Sequence, residues 1–474
     1  MKNIIHYLIN IISITLIFAA IWAIDTYGNF SGDEMLFHLL VPLGGINTDS
    51  LNNLLTNVFI PGVSIGIIIS ILIKKFIKKK IYLVNILVLL ISIIISFEKI
   101  NLFTYIADQI NSSRFIEENY VETKNVNISF PKEKKNLIYI YLESMENTYA
   151  STENGGAKKE NLIPNLTKLS QENISFSNTD KLGGALTLNG TAWTAAAMVS
   201  QTSGMPLKIN TSSNGIIDFN NFFPNTKTLG DILEENGYKN YLLVGSDSNY
   251  GCRKQYFQQH GNYKIYDLNT AIQEKQMSEE DIVWWGFDDT TLYEYAKKNL
   301  TEIAKQKEPF NYTLLTADTH FEDGYLTEDC RTDYKDQYSN VIKCADKKIN
   351  DFIKWLEKQD FYKNTTIIIV GDHLSMDTDY FKNNKDTYQR TIYNTIINSS
   401  IKSDDTKNRK FTSLDMFPTT LASLGAEIEG EKLGLGTNLY SNKKTIIEEY
   451  NYEYVFKELN KRSTFYNNNV LAYK

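Results

Sequence analysis

Three uncharged apolar runs in the first hundred residues constrain this chain most, because few structures other than a membrane-spanning helix can accommodate them. Asn3–Ile24 is 22 residues long, with Lys2 before it and no charge inside. Leu54–Ile73 and Ile81–Phe97 follow, also uncharged. About 20 consecutive apolar residues match the hydrocarbon thickness of a bilayer. Trp22 stands where a cleaved leader carries a small residue, so the first run reads as an anchor rather than a signal peptide. Between the second and third runs lie Lys74, Lys75, Lys78, Lys79 and Lys80. Lysines in so short a loop hold it on the cytoplasmic side. The amino terminus is then expected inside and everything after Phe97 outside. Glu34–Ile46, too short to cross, reads as an interfacial segment.

The rest of the chain carries a different pattern. Residues 98–130 place Ile100, Phe103, Ile106, Ile110, Phe115 and Ile116 at helical spacing, the mark of a juxtamembrane helical linker after the membrane region 1–97. Residues 131–445 alternate helices with strands, which predicts one α/β layered-sheet catalytic domain, followed by a polar tail, 446–474. The expected strands are Asn136–Leu142, Ile174–Phe176, Tyr241–Val244, Tyr312–Thr316, Thr365–Val370 and Thr391–Ile397. The expected helices are Asn165–Glu172, Thr191–Ser200, Leu229–Asn236, Asp288–Lys305, Tyr334–Glu357 and Ser413–Leu424. Of 49 basic and 56 acidic residues, 7 and 5 precede residue 101, so the external part is acidic. That balance argues against nucleic acid as a partner.

Ligands in open parallel sheets collect at the carboxyl ends of strands. The strand within KNLIYIYLESMENTY ends at Glu143 and Ser144, and TIIIV runs into Gly371, Asp372 and His373. A carboxylate and an Asp-His pair suit Mn²⁺ or Zn²⁺. Of five histidines, His6 and His38 belong to the membrane part; His260, His320 and His373 remain, the last two at strand ends. No GxSxG elbow is present and no cysteine lies in a nucleophile's context. The hydroxyl candidate is Thr191, after Gly190 and before the small residues of Ala195–Ser200. A helix start there would aim backbone N–H groups at phosphate oxygens, and the alternative is that Thr191 only caps the helix. Cys330 and Cys344 enclose a polar loop that a disulfide could pin in an oxidising compartment, with three reduced thiols as the alternative and Cys252 left over.

NLIYIYLESMENTY, NGTAWTAAAMVSQTSGMPL, FFPNTKTLGDILEENGY, WGFDDTTL, TADTHFEDGYL and VGDHLSM, in this order over residues 130 to 440, resemble the membrane phosphoglycerol transferases that modify periplasmic glucans. More broadly they resemble the lipoteichoic acid synthases and phosphoethanolamine transferases of the alkaline phosphatase and sulfatase superfamily. The resemblance implies a metal-dependent transfer of phosphoglycerol from phosphatidylglycerol to a glycan, at the inner membrane with the catalytic domain on the periplasmic side. It implies a single-metal site of Glu143, Thr191, Asp372 and His373 holding one divalent ion, Mn²⁺ ahead of Zn²⁺ and Mg²⁺, with Thr191 as nucleophile. His320 is implied as the group that contacts the phosphate or protonates the leaving group, and Arg253 and Trp285 as substrate-side residues. Cys330 and Cys344 also resemble a pair in the glucan-modifying branch. TAWTA departs from the CxPxR-like motif of sulfatases, which disfavours sulfate-ester hydrolysis. The alternatives are a phosphoethanolamine transferase, a lipoteichoic-acid-synthase-like enzyme, or a membrane-tethered binding protein on a decayed fold.

Overall fold

The computed structural model describes residues 2–28, 30–40, 52–77, 79–209, 221–382 and 387–471. Its front part is helical: α1 (Lys2–Tyr27), α2 (Gly32–Leu40), α3 (Ile60–Phe76) and α4 (Ile81–Lys99). Ile4–Tyr27, Asn52–Phe76 and Ile81–Lys99 are long and apolar enough to cross a membrane. Gly62 and Gly66 lie about one turn apart on α3 and let it approach α1 closely. A Cβ at Gly66 would stand 2.6 Å from Ile11 Cα, and one at Gly62 2.8 Å from Thr15 Cα. Polar side chains fasten α1 to both neighbours: His6 Nε2 meets the Ser70 carbonyl of α3 at 2.9 Å, and Asn10 donates to Asn85 Oδ1 of α4 at 3.2 Å. Lipid offers no partners, so such groups must find them in the protein. Of the expected interfacial segment, residues 34–40 belong to α2, while 41–46 and Lys78 lie outside the described residues.

Leu102–Ile110 and Phe115–Asn119 form helices in the linker, and the α/β domain follows. Its sheet is built from β1 (Asn136–Leu142), β2 (Lys239–Val244), β3 (Lys264–Tyr266), β4 (Phe310–Leu315), β5 (Thr365–Gly371) and β6 (Asn394–Ile397). The spatial order is β3-β2-β4-β1-β5-β6, parallel except for β6. Both faces are covered, which is why β1 and β5 read as continuous apolar runs rather than alternating ones. Leu137, Tyr139 and Tyr141 of β1 enter one core, and Ile138, Ile140 and Leu142 the other. The first core lies under α5 (Thr194–Ser203). The second lies under α6 (Asp289–Ile303) and α7 (Gln337–Leu356).

Four expectations change. Ile174–Phe176 is not a sheet strand: Ile174 makes a single antiparallel bridge to Ile396, and the Asn394 side chain binds both the N–H and the carbonyl of Phe176. The three-residue edge strand β3 went unforeseen, being too short for a periodicity. The helix expected from Thr191 begins at Thr194, because Leu188–Thr191 is a turn and Trp193 is extended at φ −136°, ψ 159°. Residues 446–471 are no loose tail. Their Ile446, Ile447, Val455, Leu459, Tyr466 and Val470 are buried in the first core, and the Tyr466 hydroxyl donates to the Pro206 carbonyl at 2.6 Å. Cys330 and Cys344 form a disulfide, and Cys252 is free and buried, its thiol pushed up to about 12 by burial.

Candidate active site

Neighbouring parallel strands release their chains at the same edge of the sheet. Leu142 of β1 pairs with Gly371 of β5, so Glu143 leaves one strand beside Asp372 and His373 leaving the other. These three side chains are buried, and one ligand atom of each lies within 4.8 Å of the others. His373 Nε2 is 3.4 Å from Glu143 Oε1 and 3.4 Å from Asp372 Oδ2. The backbone holds them in place: Asp372 Oδ1 accepts from the N–H groups of Ser144 and His373, each at 2.8 Å. The Ser144 hydroxyl donates to Glu143 Oε1 at 2.8 Å, and the Glu143 N–H donates to Thr316 Oγ1 at 2.9 Å. Ser144 itself sits at φ +52°, a left-handed turn that costs a non-glycine residue energy and aims its N–H at the carboxylate.

Among the described residues no lysine or arginine makes an ion pair with Glu143 or Asp372. Burial and the Glu143 carboxylate push Asp372 up to about 7. Burial opposes charge on His373, yet Asp372 and Glu143 together raise it. Asp372 Oδ2 is buried with no hydrogen-bond partner among the described residues. His373 Nδ1 is 2.8 Å from the Leu374 carbonyl, which fixes its proton there and turns the Nε2 lone pair toward the carboxylates. Two buried carboxylates, one bare oxygen and an oriented imidazole are a donor set that fits a divalent cation.

The two threonines of TAWT differ sharply in their surroundings. The Thr191 hydroxyl donates to the Leu188 carbonyl and accepts from the Leu188 N–H, both at 2.9 Å, closing the turn through Gly190 at φ +79°. It is occupied by backbone, and Thr191 is not among the residues the fold gathers at the ligand cluster. Thr194 opens α5, with its hydroxyl 3.4 Å from Glu143 Oε2 and 3.3 Å from His373 Nε2. Gln201, two turns along α5, donates to the Gly371 carbonyl at 3.3 Å and accepts from the Tyr139 hydroxyl at 2.9 Å, which ties the helix to both strands that carry the ligands.

The sequence profile of the family described as Sulfatase matches residues 135–426. The chain belongs to the Sulfatase family. Phosphoglycerol transferase I of Salmonella choleraesuis is 30% identical over 325 residues, and that of Citrobacter koseri 29% identical over 325 residues. Each match covers 66% of this chain and 40% of the relative, so the chain spans about two-fifths of the length of these relatives. Among solved structures, the lipoteichoic acid synthase LtaP from Listeria monocytogenes is similar with TM-score 0.51 and 20% identity, over 70% of this chain and 82% of that one. The integral membrane lipooligosaccharide phosphoethanolamine transferase A from Neisseria meningitidis is similar with TM-score 0.54 and 13% identity, over 90% of this chain and 84% of that one.

In this Sulfatase-family chain, the other residues singled out by sequence line one side of the same edge. Trp285 lies 5.3 Å from the His320 ring and stacks at 6.1 Å on Tyr250. Its indole N–H is buried without a partner among the described residues. Arg253 is anchored by the Tyr250 and Asp247 carbonyls, at 3.0 Å each, and the Ser246 hydroxyl at 2.9 Å. Burial pushes His320 down to about 4, which disfavours the imidazolium, and its Nδ1 meets the Phe321 carbonyl at 2.6 Å, while Nε2 makes no hydrogen bond among the described residues. His260 lies elsewhere, held by Asp231 at 3.1 Å and the Phe222 carbonyl at 2.7 Å. Two residues escaped the sequence reading. Thr194 had a signal, since it directly precedes the alanine run that starts α5. His38, set aside with the membrane part, lies close enough to His320 and His373 for their charges to interact.

Proposed function

We propose that this chain is a membrane-anchored phosphotransferase in which Thr194, not Thr191, is the nucleophile, and that it moves phosphoglycerol from phosphatidylglycerol to a glycan hydroxyl. One observation carries the reading: the Thr194 hydroxyl stands at the first turn of α5, 3.4 Å from Glu143 and 3.3 Å from His373. Glu143, Asp372 and His373 would hold one divalent ion. When bound, such an ion lowers the pKa of a neighbouring hydroxyl and neutralises phosphate charge. The free N–H groups at the start of α5 favour phosphate oxygens.

In the first half-reaction Thr194 Oγ bonds to the lipid phosphorus and the bond from phosphorus to the diacylglycerol oxygen breaks. The threonine proton is lost and the diacylglycerol oxygen gains one. In the second, an acceptor hydroxyl displaces Thr194 from phosphorus. His320, whose burial disfavours the imidazolium, takes the acceptor's proton in this reading rather than acting first as an acid, and the Thr194 oxygen regains a proton as it leaves phosphorus. A covalent intermediate suits transfer, because diacylglycerol leaves before a bulky sugar arrives. The glycerol head group is supported by the named relatives, and the membrane-length helices would keep the site near a lipid donor. The test is mass spectrometry of protein trapped with head-group-labelled phosphatidylglycerol and no acceptor. Glycerol phosphate on Thr194 is expected; an adduct on Thr191, or none on either, overturns the assignment.

A further inference from the structure

The connection between the first two membrane-length helices reaches the edge of the sheet where the ligands gather. Tyr27, the last residue of α1, meets Phe321 edge-on at 5.7 Å, beside His320 in the chain. Gly28 lies against the loop after His373: a Cβ there would stand 3.1 Å from Thr378 Cγ2. Phe37 of α2 is fully buried and 5.8 Å from Trp193, the residue before Thr194. This connection therefore touches the chain neighbours of His320 and Thr194 and the segment that follows His373 at once. Asp33 locks it there. Its carboxylate pairs with Lys208 at 3.3 Å, both side chains buried, and accepts from the Ile209 N–H at 3.0 Å. Lys208 also donates to the Leu459 carbonyl. A buried pair with this many fixed partners tolerates one docking geometry, because any shift leaves a charge unpaired.

That docking turns two further side chains toward the site. Glu34, which is buried, and His38 lie one turn apart on the same face of α2 and flank Phe37, whose ring meets Trp193 at 5.8 Å. Neither belongs to the motifs of the sheet domain. We propose that Tyr27, Gly28 and α2 form the membrane-side wall of the active site, and that Glu34 and His38 bind the hydroxyl-bearing head group of the phospholipid donor. This rests on Thr194 attacking a lipid phosphorus. A glycerol head group needs hydrogen-bond acceptors for its hydroxyls, and a carboxylate and an imidazole supply them. The wall begins at the end of an apolar helix, the depth at which a phospholipid phosphate lies, so the donor reaches Thr194 without leaving the bilayer. Asp33 is a positioning residue: it acts by holding α2.

Full-length protein in phosphatidylcholine nanodiscs containing phosphatidylglycerol or phosphatidylethanolamine tests this. Diacylglycerol release is measured alongside hydrolysis of bis(p-nitrophenyl) phosphate, a small diester with no lipid anchor. Glu34→Gln and His38→Gln should each lower the ratio of lipid to soluble turnover at least tenfold. Asp33→Asn should do the same, and Asp33→Asn with Lys208→Met should regain most of the ratio, since removing both partners leaves no buried charge unpaired. An unchanged ratio, or two rates falling in parallel, overturns the wall. Release from neither lipid by the unaltered protein overturns the donor reading and the wall with it, and release from phosphatidylethanolamine alone overturns the glycerol head group in both.

Discussion

Two clusters of buried carboxylates stand at the same edge of the sheet, and only one of them is complete. In the first, Asp289 and Asp318 stand together and Lys348 pairs with Asp318. Asp289 accepts from the N–H groups of Ala317 and Asp318, at 2.7 and 3.2 Å, and Asp318 accepts from the Asp289 N–H at 3.1 Å and from Lys348 at 2.8 Å. Each carboxylate oxygen has a donor and a cation is built in. In the second, among the described residues, Glu143 and Asp372 have only His373 as an ion-pair partner, and Asp372 Oδ2 accepts no hydrogen bond. Burying a charge without a partner costs several kcal/mol, so a fold that keeps both kinds of cluster uses them differently. The closed one holds the loop that leads to His320. The open one is built for a charge from outside, with the Thr194 hydroxyl beside it.

The largest effect that would break this contrast is expected at Thr194. If the open cluster serves chemistry, Thr194→Ala should lower lipid turnover by a factor on the order of 10⁴ or more and abolish the covalent adduct, as removal of a nucleophile does. Thr194→Ser should keep part of both. Turnover by Thr194→Ala within tenfold of the unaltered protein would reduce the cluster to a structural feature.

Metal content probes the same cluster directly. Asp372→Asn should weaken retention of Mn²⁺ or Zn²⁺ by about 100-fold or more, read by elemental analysis of purified protein. The metal-free protein should also show a pH signature. A carboxyl raised to about 7 in the fold, against about 3.9 unfolded, holds its proton better when folded. Stability is then greatest below the unfolded value and is lost as pH rises toward 7. Asp372→Asn should flatten that decline, and added metal should remove it. A metal-free thermal midpoint that stays constant between pH 4 and 7 would contradict the open cluster.

The sequence made the strand ends legible and the helix start illegible, for physical reasons. An apolar run covered on both faces has a length and a clear end, so Glu143, Asp372 and His373 could be read as strand-end residues. Thr191 and Thr194 are three residues apart and both precede small residues; what separates them is a turn closed by the Leu188 backbone and one extended tryptophan. Neither is a periodic signal. Residues 446–471 failed for a related reason, since six apolar side chains among many polar ones looked like a tail until Tyr466 and its neighbours had a core to enter. Asp33, Glu34 and His38 were lost because a short segment between apolar runs gives no hint that it turns back onto a domain far along the chain.

The closed cluster should answer to stability rather than to metal. Lys348→Met leaves Asp289 and Asp318 facing each other without their cation and should cost about 3–5 kcal/mol, seen as a lowered unfolding midpoint. Metal content should stay near that of the unaltered protein. Loss of the metal at temperatures where the fold persists would mean that the clusters are one unit. The disulfide supports this region as well, since Thr327 accepts from Lys348 at 2.8 Å and contacts Cys330, while Cys344 lies one turn before Lys348 on α7. Replacing both cysteines by serine should cost about 3 kcal/mol in the chain-entropy model for a loop of this length. An unchanged midpoint would place the loop outside the cooperative unit.

The smallest expected effect sharpens the comparison most finely, because it sets two threonines three residues apart against each other. Thr191 donates one hydrogen bond and accepts another, both with Leu188, in a turn whose Gly190 has a left-handed φ. Such a satisfied hydroxyl contributes about 1 kcal/mol when removed, and the turn keeps its Thr191 N–H to Leu188 carbonyl bond at 3.1 Å without it. Thr191→Ala should therefore lower the unfolding midpoint slightly, hold its metal, and retain diacylglycerol release within about fivefold, the equivalent of that small free energy. Thr194→Ala should show the reverse, a nearly unchanged midpoint with turnover gone. If Thr191→Ala instead loses the covalent adduct while staying folded and metal-loaded, then the hydroxyl bound to Leu188 must swing out during turnover, and the distances at Thr194 describe a bystander.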